Sequence, residues 1–531
     1  MGLFEGLGSI RDMCNCQQMQ GCERKSLLVG NDERRELSVS GQENPISLSL
    51  SSGIRPGKAG EKQGRGALGI GPPLPMRGPS LNNSWGVGRW HLALGGVAGV
   101  WALTGFALSL AFSQGVAVSW WASVHAFTLG AVVTAIMVYT QHFAGALTRM
   151  KQDPATVVRG VGIRIAMVQI GLACLVLGRA GYEWSGLADF GAILVLVALT
   201  IHFGGILDSC LEGMGGQYSF LARFYVAAGG CAVGAIMLAI AAAHSAGDYD
   251  LLISAHARAM VWGFVFPIVL ITVLTLLPTM KGQRVAPGVK RLSRTLLTVY
   301  FTSIGIAVGA VCIKAAPLAG NAHLDWLLAV AGAAEILAGS AGLALLVVAS
   351  SPRRARLDDA GTKAAGASPP PAPAGSRARL AVYAGVVWLA VCLLADGLGV
   401  ASAMTGEISP RDLFAALAPV VVGAGLLPMI VQVLGFLLPV VAGGGPDVIK
   451  HRRIAATRGL RTRLVITGCG AMLTIVGKVP VGEHVPQIAV VSMGIALMAV
   501  SFLWAAAAVV RAFLPHHWWG CGGRPRQAPA S

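Results

Sequence analysis

"SVHAFTLGAVVTAIMVYTQHFAG", residues 123–145, is an apolar run with no acidic side chain, no lysine and no arginine, yet it carries two histidines, His125 and His142. A run of this length and character crosses the hydrocarbon of a bilayer as a helix. Seventeen residues separate the two imidazoles, roughly 25 Å at the helical rise per residue. They cannot share a ligand, and so belong to two tiers, one toward each face of a membrane.

The rest of the chain is built of the same material. Over 531 residues, 54% are hydrophobic and 12% charged, and the mean hydropathy is +0.66. A soluble protein could not cover that much apolar surface with so few charges, so the bilayer is the main solvent and partner. The net charge of +17 would suggest nucleic acid in a soluble domain. Here the Lys and Arg lie between apolar runs, which reads as a topology signal, and no nucleic-acid partner is implied. Ten cysteines are scattered, mostly singly inside apolar runs, and imply no disulfide framework.

Residues 1–84 are polar and rich in Gly and Ser, the composition of a disordered extension. The membrane pattern begins directly after "MRGPSLNNS", which suggests Met76 as the true start. From Trp90 onward twelve runs are long enough to span a bilayer: eight within 85–350 and four within 378–515. A Pro/Ala/charge-rich linker at 351–377 separates them, and 516–531 form a disordered tail. Alternate connections carry 22 Lys and Arg against four. That asymmetry places both termini and the linker on the cytoplasmic side. An excess of Arg over Lys, with abundant Ala and Gly, points to a GC-rich bacterial genome and so to a bacterial plasma (inner) membrane.

Orientation fixes depth. His125 in the second run and His256 in the sixth, "AHARAMVWGFVFPIVLITVLTLLPTM", fall in the outer tier at nearly equal depth. His91, His142 and His202 fall in the inner tier. Neutral imidazole ligates haem iron, copper and zinc and relays protons, so these five are candidate cofactor or metal ligands. Each can instead hydrogen-bond a neighbouring helix. Arg258 presents a different helix face from His256, suited to a haem propionate or to a carboxylate such as Asp396. Glu335 lies near the middle of the eighth run, where it suits either a proton path or a plain interhelical hydrogen bond. The sixth run and the tenth, "VVVGAGLLPMIVQVLGFLLPVVAGGGP", both contain Leu-Leu-Pro, an echo of a four-helix repeat. In that register Leu417 stands where His256 would.

The runs around His125 and His256, with "FLLPVVAGGGP", resemble a family of actinobacterial polytopic proteins often called copper-oxidase-like. Those in turn are similar to haem-copper oxidase subunit I and to NnrS-type proteins linked to nitric oxide stress. The resemblance spans roughly 85–515. It implies an all-α bundle of about twelve transmembrane helices in three four-helix arcs, with haem b or copper held between helices. In the actinobacterial group helix 6 tends to read His-x-His, whereas here the second position is Arg258. Oxidases draw haem ligands from helix 10 and copper ligands from helices 6 and 7. Here the seventh and tenth runs have no histidine, so no complete oxidase centre is expected.

The sequence thus points to a haem- or copper-binding membrane protein, working with a redox partner protein in redox, copper or nitric oxide stress physiology. Two alternatives stay open. One is a proton-coupled or metal transporter using Arg258, Glu335 and Asp396. The other is a non-catalytic scaffold whose ligand sites have decayed.

Overall fold

The computed structural model describes residues 81–150, 153–179, 184–216, 218–244, 247–281, 288–316, 324–351, 377–405, 409–443, 445–478 and 487–513. The N-terminal extension, most of the 351–377 linker and the 516–531 tail lie outside them. So do His323, His484, His516 and His517.

Among the described residues twelve helices are long and apolar enough to cross a membrane. They are α1 (Arg89–Ser113), α2 (Trp120–Thr148), α3 (Ala155–Gly178), α4 (Gly186–Glu212), α5 (Phe220–Ala243) and α6 (Tyr249–Met280). After these come α7 (Val289–Ala315), α8 (Trp326–Ser350), α9 (Arg379–Thr405), α10 (Pro410–Val441), α11 (Pro446–Val476) and α12 (Gln487–Arg511). Each apolar run of the sequence is one of these helices. The helices extend beyond their apolar stretches at polar ends, where hydropathy is a poor guide. α3 opens with a polar turn because Pro154 is preset for the first helical position and the Asp153 carboxylate caps the amide of Thr156 at 2.9 Å. α11 opens with a short basic helix, Pro446–Ala456, and re-forms after a turn at Gly459, whose φ of +70° suits glycine.

Burial sorts the helices into two classes. α6 buries 89% of its most apolar stretch and α2 and α10 each 72%, whereas α1 buries 28%. The second helix of every consecutive quartet therefore stands at the centre, and its companions wrap it. Outward faces carry apolar rows such as Ile163, Ile170 and Leu177 on α3 and Phe190, Ile193, Val197 and Ile201 on α4. In water such rows would be a liability; against lipid tails they are matched surface.

The three central helices share a backbone anomaly. Each passes into a π-helical segment: Ala126–Val133 in α2, Ala259–Val265 in α6 and Val421–Leu426 in α10. Each segment contains a glycine against the first helix of its own quartet. A Cβ on Gly130 would strike the Trp101 ring of α1, one on Gly263 would press on Cys231 of α5, and one on Gly425 would strike Leu389 of α9. The three quartets are thus repeats of one packing solution, three four-helix arcs as the Leu-Leu-Pro echo implied.

Lipid gives little hydrophobic drive for helices to associate, so close backbone approach and polar bonds must join the quartets. At the α8/α9 seam Gly332 and Gly397 let the two backbones touch. At α4/α5 Gly229 accommodates Phe203. The ring closes between α12 and α1, where Ser113 Oγ lies 2.8 Å from Ser492 Oγ and Phe106 packs on Phe502.

Candidate functional site

The tier at the end of the bundle where α2 and α6 begin brings His125 and His256 within electrostatic range of each other. Both sit just ahead of a π segment. His125 Nδ1 lies 2.8 Å from the Trp121 carbonyl, and the ring stacks on the Trp121 indole at 4.0 Å between centroids. His256 Nδ1 lies 2.7 Å from the Ala235 carbonyl of α5. A carbonyl only accepts, so each ring donates through Nδ1–H and keeps the lone pair on Nε2. This tautomer is the one in which a metal-ligating imidazole is held by its second shell. The Arg179 guanidinium lies 5.1 Å from the centroid of the same Trp121 ring, so that indole contacts both a cation and an imidazole.

The other tier is divided. His91 of α1 is buried, packs edge-on against Trp90 and faces Tyr139 of α2, and interacts electrostatically with His142. Its Nδ1 has no hydrogen-bond partner. His202 of α4 is separate in its bonding: Thr140 gives its hydroxyl proton to the Ile136 carbonyl, so His202 Nε2–H donates to Thr140 Oγ1 at 2.9 Å. Among the described residues no three His, Cys, Asp or Glu converge where they could hold a metal ion. His91, His142 and His202 accordingly do not form one three-ligand centre.

Arg258 is placed differently from an arginine offered to a cofactor. It is 1% exposed, both terminal nitrogens of its guanidinium are hydrogen-bonded, and its Nε is turned to a carboxylate. Nη2 donates to Asp396 Oδ1 of α9 at 2.6 Å and to the Pro410 carbonyl at 3.2 Å, Nη1 donates to Ser254 Oγ, and Nε faces Glu335 Oε1 of α8 at 3.0 Å. No edge is left for a haem propionate. Trp262 Nε1 donates to Asp396 Oδ2 at 2.8 Å, and the Tyr300 hydroxyl donates to the Trp262 carbonyl at 2.6 Å. That carbonyl lies inside the π segment of α6, where the shifted backbone ladder makes carbonyls available to side chains. Trp262 and Tyr300 carried no motif in the sequence; only their place in apolar runs marked them as buried aromatics that need a polar partner.

Between α2, α6 and α10 lies a cavity with about 80 Å³ of room for water-sized molecules. Tyr139, Phe143, Val269, Leu276, Met429 and Val433 are among its lining residues, and the surface turned to it is apolar. Its apolar lining suits small apolar molecules. It is too small for a porphyrin.

No protein-family model matches the chain, and no curated protein matches it. Its fold does match that of a solved haem-copper terminal oxidase, a dimer determined by cryo-electron microscopy. The TM-score is 0.58 and the identity 9%, with 82% of this chain and 85% of the oxidase chain covered. The chain is therefore a multi-pass membrane protein with the haem-copper-oxidase-like fold. It carries that fold without histidines in α7 and α10.

Proposed function

We propose that the chain binds a redox metal group through His125 and His256, haem b as the favoured group and copper as the alternative. The observation that carries this reading is the pair of imidazoles from α2 and α6, each locked by Nδ1–H to a backbone carbonyl and each keeping its Nε2 lone pair. The two Nε2 atoms would be the residues' donors to haem iron. Copper accepts imidazole as well, but the described residues bring no third His, Cys, Asp or Glu to it. Arg179, beside Trp121, replaces Arg258 as the cation suited to a haem carboxylate. Haem iron supplies one-electron chemistry; the protein supplies ligand tautomer, orientation and exclusion of water.

The setting we propose is the bacterial plasma membrane, with both termini cytoplasmic by the Lys and Arg asymmetry, and a role with a redox partner in redox, copper or nitric oxide stress physiology akin to that of NnrS-type proteins. A second reading, a proton-coupled or metal transporter, draws on the buried charges of Arg258, Glu335 and Asp396. The test is the absorption spectrum and metal content of the protein purified in detergent. A Soret band that disappears in His125→Ala or His256→Ala supports the haem reading. Neither haem nor copper at stoichiometric level overturns both metals at once.

A further inference from the structure

Asp396 and Glu335 face the same guanidinium but are held differently. Both Asp396 oxygens accept hydrogen bonds, one from Arg258 and one from Trp262, which is the environment of a carboxylate anion. Asp396 and Arg258 together are then neutral. Glu335 is fully buried, and neither of its oxygens accepts a hydrogen bond of proper geometry. As a second anion it would leave the cluster with an uncompensated charge in the membrane interior, which is costly. As an acid it is neutral, and its proton has an acceptor within the cluster in Asp396, which shares the Arg258 guanidinium with it. Among the described residues, Tyr300 of α7 lies within electrostatic range of Glu335, and Cys392 of α9 within that of Asp396.

The cluster also has an entrance. On α6, Asp250, Ser254 and Arg258 recur every fourth residue and so form one stripe. Asp250 is half exposed at the helix start, where Arg411 of α10 pairs with it at 2.6 Å. Ser254 is buried, and its hydroxyl meets Arg258. The stripe reaches about 12 Å inward. Beyond the cluster, toward the other end of α6, the lining of the central cavity is apolar.

We propose that Arg258, Glu335 and Asp396 form an intramembrane proton-binding site, loaded from the end of the bundle at which α6 begins. A proton from water at that end forms an O–H bond on Glu335, and the net charge of the cluster goes from minus one to zero. Arg258 is the fixed charge that makes the unprotonated form attainable inside the membrane. The site needs no metal and stands or falls apart from the haem reading.

Infrared difference spectroscopy on the full chain reconstituted in lipid tests it across a pH titration, with helical circular dichroism and monodisperse elution as the folding check. The parent shows a protonated-carboxyl C=O band that shifts in D2O and is absent in Glu335→Gln. The band is also absent in Asp396→Asn, although Glu335 is still present, because the one remaining carboxyl must then neutralise Arg258 as an anion. This second variant keeps the test decisive if Glu335→Gln fails to fold. In Ser254→Ala the band keeps its intensity and its hydrogen–deuterium exchange slows. No band in the parent, or a band that survives in Asp396→Asn, overturns the site; unchanged exchange in Ser254→Ala overturns the entrance.

Discussion

Replacing Arg258 with methionine removes the single positive charge among two buried carboxyls and keeps most of the side-chain volume. Asp396, 0% exposed, then has to take up a proton to remain inside the bundle. An unfolded aspartate titrates near pH 3.9, so holding the proton at pH 7 costs about three pH units, or roughly 4 kcal/mol at about 1.4 kcal/mol per unit. That agrees with the ~3–5 kcal/mol typical of breaking a buried ion pair by removing one partner. The sign follows from proton count. The folded variant binds one more proton than the unfolded chain, so its stability relative to the parent falls as pH rises. Between pH 5 and pH 7 the deficit should grow by about 2.7 kcal/mol. Any proton already carried by Glu335 is common to parent and variant and cancels. The assay is the folded fraction after thermal challenge in detergent, read by elution profile at both pH values. The double variant Arg258→Met with Asp396→Asn should regain most of the loss, because it removes both charges together. A deficit equal at the two pH values, or a double variant as unstable as the single one, would refute the account of these carboxyls.

Two other outcomes check the repeat and a cap. Gly130→Ala forces a Cβ into the Trp101 ring and should lower the thermal midpoint, by the ~1–3 kcal/mol of an overpacked core, whereas Gly96→Ala meets no atom within 4 Å and should be neutral or stabilising. Equal effects would mean that α1 does not press on the π segment of α2. At the exposed start of α3, the Thr156 hydroxyl and amide hold the Asp153 carboxyl below its ordinary range. The stability this adds is complete above the ordinary carboxyl pKa and is lost as pH falls through the lowered one. Asp153→Asn should therefore lose less stability on acidification than the parent in melting curves, and parallel losses would count against the cap.

The twelve spans were legible because a membrane helix announces itself by length and composition, and the quartet repeat was legible in Leu-Leu-Pro at Pro278 and Pro439. Depth alone put His125 and His256 at one level of the bundle, since their distance from the polar ends sets that level. What holds those rings was not legible: the Trp121 and Ala235 carbonyls are backbone atoms, and Ala235 lies on another helix. The same limit hid the bonding of Arg258. Residues 258, 335 and 396 each stand out as charges in apolar runs, but which edge meets which oxygen depends on how α6, α8 and α9 rotate against one another. The π segments leave almost no compositional trace, because a shift from four-residue to five-residue hydrogen bonding changes no side chain. Their glycines at 130, 263 and 425 were the only hint, and glycine is common throughout this chain.

The π segments have a consequence for how such a bundle can change over evolution. Each residue of an α-helix turns the chain by roughly 100°, so a stretch wound more loosely offsets the face presented before it from the face presented after it. His125 and His256 precede their segments, whereas the residues of α2 and α6 that line the central cavity lie at the far ends of the segments or beyond them. The two halves of α2, and of α6, are thereby geared independently. Gain or loss of one residue inside a segment would swing the histidine toward a different neighbour and leave the cavity wall where it is, a route by which one scaffold can gain, move or discard a ligand without being rebuilt.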